Sequence, residues 1–430
     1  MGYGPEAVAH AADGKTVFVS GAVPGDTVAA ELTEDGPRFS RARTVEVVEP
    51  SADRVVPECP YATLCGGCPW AALSYPRQAI EKRQNVVSSL VRLGHFPADE
   101  AEHLVAQTVT PGKPWGYRNK VELAVGTTNG RLTLGMHAAA SDSVVKVKEC
   151  KLLQKKFQGS VKSVSGAMGY LANSHGLQLE RVGIRASART NELEVALWGP
   201  SGPFPRAQVA KVLADSTKMT SLVRVMQKGP AKARKIAGVE RLSGKGSWGE
   251  RIGSETMRVS APSFFQVNTA GAEKIVELVL EGLAPDDDDE AMDLYCGAGT
   301  FTIPLARRVG FVSAVESYGP AVRDLRRNLE SARLDNVDAV GGDAGREFPD
   351  TDADIIVVDP PRAGLAADVV RQLSEQPARA IAYVSCDPAT LARDLARFRE
   401  AGTFKPVSVT PVDLFPQTFH VEDVCILRRA

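Results

Sequence analysis

AMDLYCGAGTFTIPLARRVGFVSAVES (residues 291–317) reads as strand, glycine turn, helix and strand in succession. AMDLYC is a short apolar run that leads straight into Gly297 and Gly299, TIPLARRV has helical character, and FVSAVES is a second short apolar run. The same rhythm continues outward. AEKIVELVLEGL before it is helical, AVRDLRRNLESARL after it is helical, ADIIVVDP is a strand, ADVVRQLSEQ is helical, and AIAYVSC is a strand. Strands alternating with helices over residues 261–430 predict a doubly wound, Rossmann-like α/β sheet with helices on both faces. Ligands of such a sheet bind at the carboxyl ends of its strands.

The remainder of the chain has a different texture. Residues 1–48 carry short alternating runs (KTVFVSG, DTVAAEL, RTVEVVEP) broken by Gly, Pro and Asp, a pattern that fits a small β-barrel of the oligonucleotide-binding type and nearly as well a generic β-module. Residues 49–260 read as a central α+β domain. It has a helix over Tyr75–Leu93, several β-rich segments after Gly116, and one helical stretch near Ala207–Leu213. The acidic run Asp286–Asp289 reads as a solvated loop.

A length of 430 residues suits two or three domains, and the charge and apolar content are those of an ordinary globular protein. No stretch approaches ~18 consecutive apolar residues and the N-terminus lacks a basic-then-apolar leader, so neither a membrane span nor a secretory signal is expected, and the cytoplasm is the default. The net charge of −1 decides nothing about nucleic acid. Between Arg206 and Arg251, however, eleven Lys or Arg face three acids, either as a solvated surface or as a phosphate-facing patch. Seven cysteines do not make a complete disulfide set. Cys59, Cys65 and Cys68 cluster, Cys150 follows after a long gap, and Cys296, Cys386 and Cys425 lie in the last third, so cysteine has two separate uses here.

Two groups of residues carry chemistry. In DLYCGAGTF the glycines allow a tight turn and close backbone approach to a ligand. Glu316 ends the next strand, where a carboxylate accepts hydrogen bonds from ribose hydroxyls, and Asp343 follows the third. The third glycine of a dinucleotide fingerprint is missing, with Ile303 and Pro304 in that region, which favours S-adenosylmethionine over NAD. The fourth strand ends in DPPRAG (Asp359–Gly364), whose prolines fix the direction of the Asp359 carboxylate. The fifth ends in SCDP (Ser385–Pro388), placing Cys386 beside a helix N-terminus whose dipole favours a thiolate. A cysteine there is a candidate nucleophile, and DLFPQTFHVEDV near the C-terminus offers His420, Glu422 and Asp423 as candidate bases.

Taken together, SFFQVN (Ser263–Asn268), DLYCGAGTF, DPPRAG, SCDP and FPQTFHVE resemble the RNA 5-methyluridine methyltransferase family, and the resemblance spans essentially the whole chain. It implies transfer of a methyl group from S-adenosylmethionine to carbon 5 of a uridine, with Cys386 as nucleophile on carbon 6 and Glu422 removing the carbon 5 proton. Gln266, Tyr295, Thr300, Glu316, Asp343 and Asp359 would contact the cofactor, and Phe264, Asp359 and Arg362 the flipped base. Residues 1–48 resemble a TRAM domain. Cys59, Cys65, Cys68 and Cys150 match the 4Fe–4S ligands of the iron–sulfur members, which together with the TRAM-like unit favours 23S ribosomal RNA over transfer RNA as substrate; a monomer is expected. Thiolates also bind zinc, but C-x5-C-x2-C plus one distant cysteine is not a pair of zinc-ribbon arms. Three positions depart from the common pattern: Thr300 and Asp387 stand where Asn is frequent, and Phe419 where Pro is frequent.

Other readings remain at this level. A 5-methylcytosine RNA methyltransferase would carry a cysteine in the fourth-strand motif, where DPPR has none. An amino-group methyltransferase would have an aromatic residue in place of Arg362. An inactive iron–sulfur RNA-binding protein would have no need of both Cys386 and Glu422.

Overall fold

The computed structural model of the chain describes residues 1–230 and 234–430. Strands β1 (Ala7–His10), β2 (Thr16–Ser20), β3 (Thr27–Asp35) and β4 (Phe39–Glu49) form one sheet in the order β1-β2-β4-β3, with β2 and β4 parallel. Its core is small: Ala7, Val19, Ala22 and Ala42 are its buried apolar members.

Helices α1 (Tyr75–Arg92) and α2 (Ala98–Leu104) follow. The central unit contains β5 (Lys120–Thr128), β6 (Arg131–His137), β7 (Val144–Val145), α3 (Ser160–His175), β8 (Arg181–Ser187), β9 (Glu192–Pro200), α4 (Arg206–Ser216), β10 (Ser221–Lys228) and β11 (Lys235–Gly244). Its seven strands lie in the order β11-β10-β9-β8-β5-β6-β7. Helix α3 departs from the sequence expectation, which placed only one helix here. Gly166 and Gly169 lower its intrinsic propensity, yet Val161, Val164, Met168 and Leu171, spaced three and four apart, are all fully buried. Tertiary burial overrides the glycines. The run SVVKVKEC supplies only the two residues of β7. Several cations of the basic stretch are ion-paired: Arg206 and Arg224 with Glu240, and Lys245 with Glu192. Lys232 lies outside the described residues.

The hairpin β12 (Trp248–Ile252) and β13 (Glu255–Val259) packs against α5 (Thr269–Leu283) and α7 (Gly319–Ala332). The remaining elements are β14 (Glu290–Leu294), α6 (Thr302–Ala306), β15 (Phe311–Glu316), β16 (Val337–Gly341), β17 (Ile355–Val358), α8 (Ala367–Glu375), β18 (Ala380–Ser385), α9 (Pro388–Ala401), β19 (Phe404–Val412) and β20 (Glu422–Arg429). They build a sheet in the order β16-β15-β14-β17-β18-β20-β19, parallel from β16 to β18. Ile355–Val358 and Ala380–Ser385 are buried throughout, as strands covered on both faces must be. β20 pairs antiparallel with both β18 and β19.

Two polar features of this core were not expected. Asp289 is buried rather than solvated, since Arg379 donates to both its carboxylate oxygens at 2.6 Å. Lys82 on α1 and Asp413, just after β19, form an ion pair at 2.5 Å with no exposure of either side chain. Burial lowers the lysine's pKa and raises the aspartate's, so each charge persists only because the other is present. Removing one partner leaves an uncompensated buried charge. Lys82→Met should therefore lower unfolding free energy by about 3–5 kcal/mol, and Lys82→Met with Asp413→Leu should recover most of it, as read from denaturant unfolding curves.

Candidate active site

The parallel strands deliver their carboxyl ends to one edge. Leu294 is in register with both Val315 and Val358, Glu316 with Gly341, and Val358 with Tyr383. Tyr295, Glu316, Asp343, Asp359 and Cys386 thus leave the sheet along one line, on both sides of the switch point between β14 and its neighbours. Because β20 is antiparallel, its beginning reaches the same edge, with Asp423 paired to Ser385. Side chains alternate along a strand. Of the charges that act on the Cys386 thiol, Glu422 contributes most, whereas Asp423 acts on Tyr3 and Cys425.

Each loop on this edge is held by named contacts. Tyr295 has a left-handed backbone (φ +65°), and its N–H donates to the Val315 carbonyl at 2.9 Å. Gly299 has φ +100°, and a Cβ there would lie 2.8 Å from Leu325. Thr300 immediately precedes Phe301 and α6. The Glu316 carboxylate accepts from the N–H groups of Gly297 (3.0 Å) and Tyr318 (2.6 Å), and Asp343 accepts from Gly345 at 3.1 Å. After DPPR, Gly364 has φ +75° and lies so close to Arg393 and Asp394 that a Cβ would sit 2.5 Å from each. Asp394 in turn accepts from the Leu365 N–H and the Tyr383 hydroxyl. Asp387 caps α9 through the N–H groups of Ala389 and Thr390, and Arg362 donates to its other oxygen at 3.3 Å.

The SFFQVN loop is fixed from the central unit. Buried Arg185 donates to the carbonyls of Ser260 and Ser263, and Asn119 donates to the Gln266 carbonyl at 2.8 Å. Gln266 is buried, while Phe264 is 66% exposed on this rigid loop. Neither Arg185 nor Asn119 was legible as a site residue. Nor was Tyr3, whose hydroxyl lies 3.5 Å from the Cys386 carbonyl and whose ring meets Phe419 edge-on at 5.6 Å. No motif marked these three, because their partners are 60 or more residues away in sequence.

The electrostatics are dominated by buried acids. Burial, together with the charges of neighbouring acids, pushes Asp293 and Asp359 up to about 7 each. Glu422 is raised well above the carboxylate range by burial and then by Asp359 and Asp423. One oxygen of Asp293 and both of Asp423 are buried without a hydrogen-bond partner. The expected thiolate at Cys386 is overturned. Burial, then Glu422 and Asp359, push the thiol up to about 12, and these outweigh the lowering by Arg362. Asp387, which stands where Asn is frequent, also raises it but contributes least. His420 is pushed down to about 4 by burial and nearby cations, so it is neutral at physiological pH.

A second constellation lies apart. Cys59, Cys65, Cys68 and Cys150 are free, half-buried, and line one cavity of about 330 Å³ with Tyr61, Trp115, Val147 and Arg118. No three of these sulfurs lie within 4.8 Å of one another. A single tetrahedral zinc with Zn–S bonds of about 2.3 Å would draw its ligands to about 3.8 Å. Arg118 has its Nε buried without a hydrogen-bond partner, a cation available to an anionic occupant of that cavity.

A thiol with this pKa reacts as its small thiolate fraction, which grows tenfold per pH unit until the pKa is passed. Alkylation of Cys386 by iodoacetamide in the ligand-free protein, followed by peptide mass spectrometry, should therefore rise steadily from about pH 7 to about pH 10. A rate that levels off below about pH 8 would contradict the site as described.

Comparison with known proteins joins these features. A family model described as tRNA (Uracil-5-)-methyltransferase matches residues 253–430. The chain is 31% identical over 422 residues to an uncharacterized RNA methyltransferase of Thermosynechococcus vestitus, covering 96% of this chain and 93% of that one. It is 35% identical over 448 residues to another from Streptomyces avermitilis, covering 100% and 96%. Among solved structures, the Pyrococcus abyssi tRNA (uracil-54, C5)-methyltransferase in complex with S-adenosyl-L-homocysteine matches with a TM-score of 0.75 and 25% identity, covering 98% of this chain and 100% of that one. The chain belongs to a family of RNA methyltransferases, and its C-terminal residues 253–430 match the tRNA (Uracil-5-)-methyltransferase model.

Proposed function

We propose that this chain methylates carbon 5 of a uridine in 23S ribosomal RNA, with S-adenosylmethionine as donor, Cys386 as nucleophile and Glu422 as base. The observation that carries the reading is the line of acids around one thiol at the ligand edge: Asp293, Glu316 and Asp359 beside the glycine turn, and Cys386 against Glu422. A cluster of buried and half-buried carboxyls suits a cation and opposes the pyrophosphate of a dinucleotide. The donor, when bound, supplies a methyl group on a positively charged sulfonium. Gln266, Tyr295, Thr300, Glu316, Asp343 and Asp359 are the residues to hold it, and the relative from Pyrococcus abyssi has its demethylated product bound.

The chemistry follows from the pyrimidine. Carbon 5 of neutral uracil is a poor nucleophile. The Cys386 sulfur, its proton released to solvent, forms a bond to carbon 6 and turns the ring into an enolate that is nucleophilic at carbon 5. After methylation, Glu422 takes the proton from carbon 5, the carbon 6–sulfur bond breaks, and the double bond returns. The raised proton affinity of Glu422 makes its ionised form a strong base, and it must release its own proton to solvent before it takes the one on carbon 5. Phe264 offers an exposed ring for a base out of its stack, with Arg362 beside the nucleophile.

In the same reading, residues 1–48 are a TRAM-like RNA-binding unit, residues 49–260 carry the metal site and further RNA surface, and residues 261–430 are catalytic. The protein works in the cytoplasm as a monomer. Four cysteines around one cavity, too far apart for a single zinc and next to Arg118, whose Nε lacks a hydrogen-bond partner, suit a four-iron cluster, whose ligands stand on the outer corners of a cube. Anaerobically purified protein should contain iron and acid-labile sulfide with visible absorption, all lost in Cys68→Ser. Zinc alone in its place would refute the cluster. Transfer RNA is the second reading, favoured by the full-length match to a tRNA enzyme.

The test is to map 5-methyluridine in ribosomal and transfer RNA from cells with and without the gene, and to complement with variants. One position in 23S RNA should lose its methyl group on deletion. The wild type should restore it, Cys386→Ala should not, and purified Cys386→Ala should keep cofactor affinity within about twofold. No lost methyl group in either RNA pool would end the proposal.

A further inference from the structure

The loop between β19 and β20, which carries His420 and leads into Glu422, is held mostly from outside the α/β sheet. Four consecutive carbonyls are engaged. Asn268 donates to Leu414 at 3.3 Å, Lys82 to Phe415 at 3.1 Å, Tyr117 to Pro416 at 3.0 Å, and the Trp70 N–H to Gln417 at 3.0 Å. Three of those donors precede residue 261. At the loop's centre Gln417 is buried with φ +73°, a backbone conformation unfavourable for a side chain of this kind.

Gln78 on α1 sits opposite. It is fully buried, its Oε1 accepts from the Gln417 N–H at 2.8 Å, and its Nε2 faces the Gln417 Oε1 at 3.1 Å. The same Nε2 lies 2.8 Å from the Leu73 carbonyl and 3.1 Å from that of Trp70, so one amide joins α1, the segment just after Cys68, and the loop. A glutamine buried at a helix start is costly unless every polar atom is matched, and here both ends are.

We infer that Gln78 is a positioning residue for the proton-removal step: it holds Gln417 in its strained conformation and thereby fixes where Glu422 stands relative to Cys386. This inference rests on the uridine-methylation reading. Loss of the contact displaces the base and leaves the nucleophile alone, because Cys386 is set by the end of β18 and the Asp387 cap of α9, while the Gln78 amide is bonded to Trp70, Leu73 and Gln417.

Gln78→Met keeps side-chain length and helix propensity while removing the amide. On the full chain, with an RNA transcript that the wild type methylates, kcat should fall about ten- to a hundredfold while KM for RNA and for S-adenosylmethionine stays within about twofold. A chain–RNA adduct that survives denaturation should accumulate, since addition outruns elimination. An unchanged kcat, or a fall in kcat without the adduct, overturns the inference. Should Gln78→Met fail to fold, Gln417→Ala decides: alanine is equally strained at φ +73° and loses the side-chain amide that Gln78 grips, so the same kinetic split and adduct are expected. A wild type that methylates no RNA removes the underlying reading. An active wild type with an equally active variant removes only the role of Gln78.

Discussion

The antiparallel run of β20 beside β18 is the constraint on which the site depends. Parallel strands bring only their carboxyl ends to the ligand edge, and each can present there only the residues at and just past its own end. Reversing one strand brings an amino end to the same place, so that Glu422 meets the Cys386 that ends β18. The proposed nucleophile and base are then neighbours in space although 36 residues separate them in sequence. β19 on the outer side completes the turn, and the loop between the two strands becomes the lever that sets the base.

That arrangement is electrostatically expensive without its ligands. Asp293, Asp359 and Glu422 share a poorly solvated edge in which each raises the proton affinity of its neighbours, and the thiol stays protonated for the same reason. A sulfonium cation would relieve the repulsion, and a pyrimidine ring is the group on which a reluctant thiol forms a bond reversibly. The same acids thus bear on both the sulfonium and the thiol of the proposed reaction.

Much of this was legible in the sequence. The alternating runs after residue 261 specify the doubly wound sheet because fully buried strands are short and nearly all apolar, as in ADIIVVDP and AIAYVSC, and because Gly297, Gly299 and the prolines of DPPRAG punctuate them. The chemistry-bearing residues stand at strand ends for the same reason. Helix α3 was hidden by its glycines, and the thiolate expected from a helix dipole ignored acids brought in by β20. Least visible were Gln78, Lys82, Arg185 and Asn119. Their sequence surroundings look like ordinary helix or strand, and only long-range packing aims their polar atoms at the catalytic loops. Local pattern reports what a segment is, while the partner of a buried polar side chain is a tertiary fact.

The bond between Cys386 and the pyrimidine ring is tested most directly with RNA whose target uridine carries fluorine at carbon 5. Methylation then leaves no proton for Glu422 to remove, and the carbon 6–sulfur bond has no route to break by elimination. Mass spectrometry of the denatured, digested complex should find the nucleotide, with one added methyl group, attached to the peptide containing Cys386. Unmodified peptide throughout, from a preparation that methylates the ordinary RNA, would contradict covalent catalysis at this cysteine.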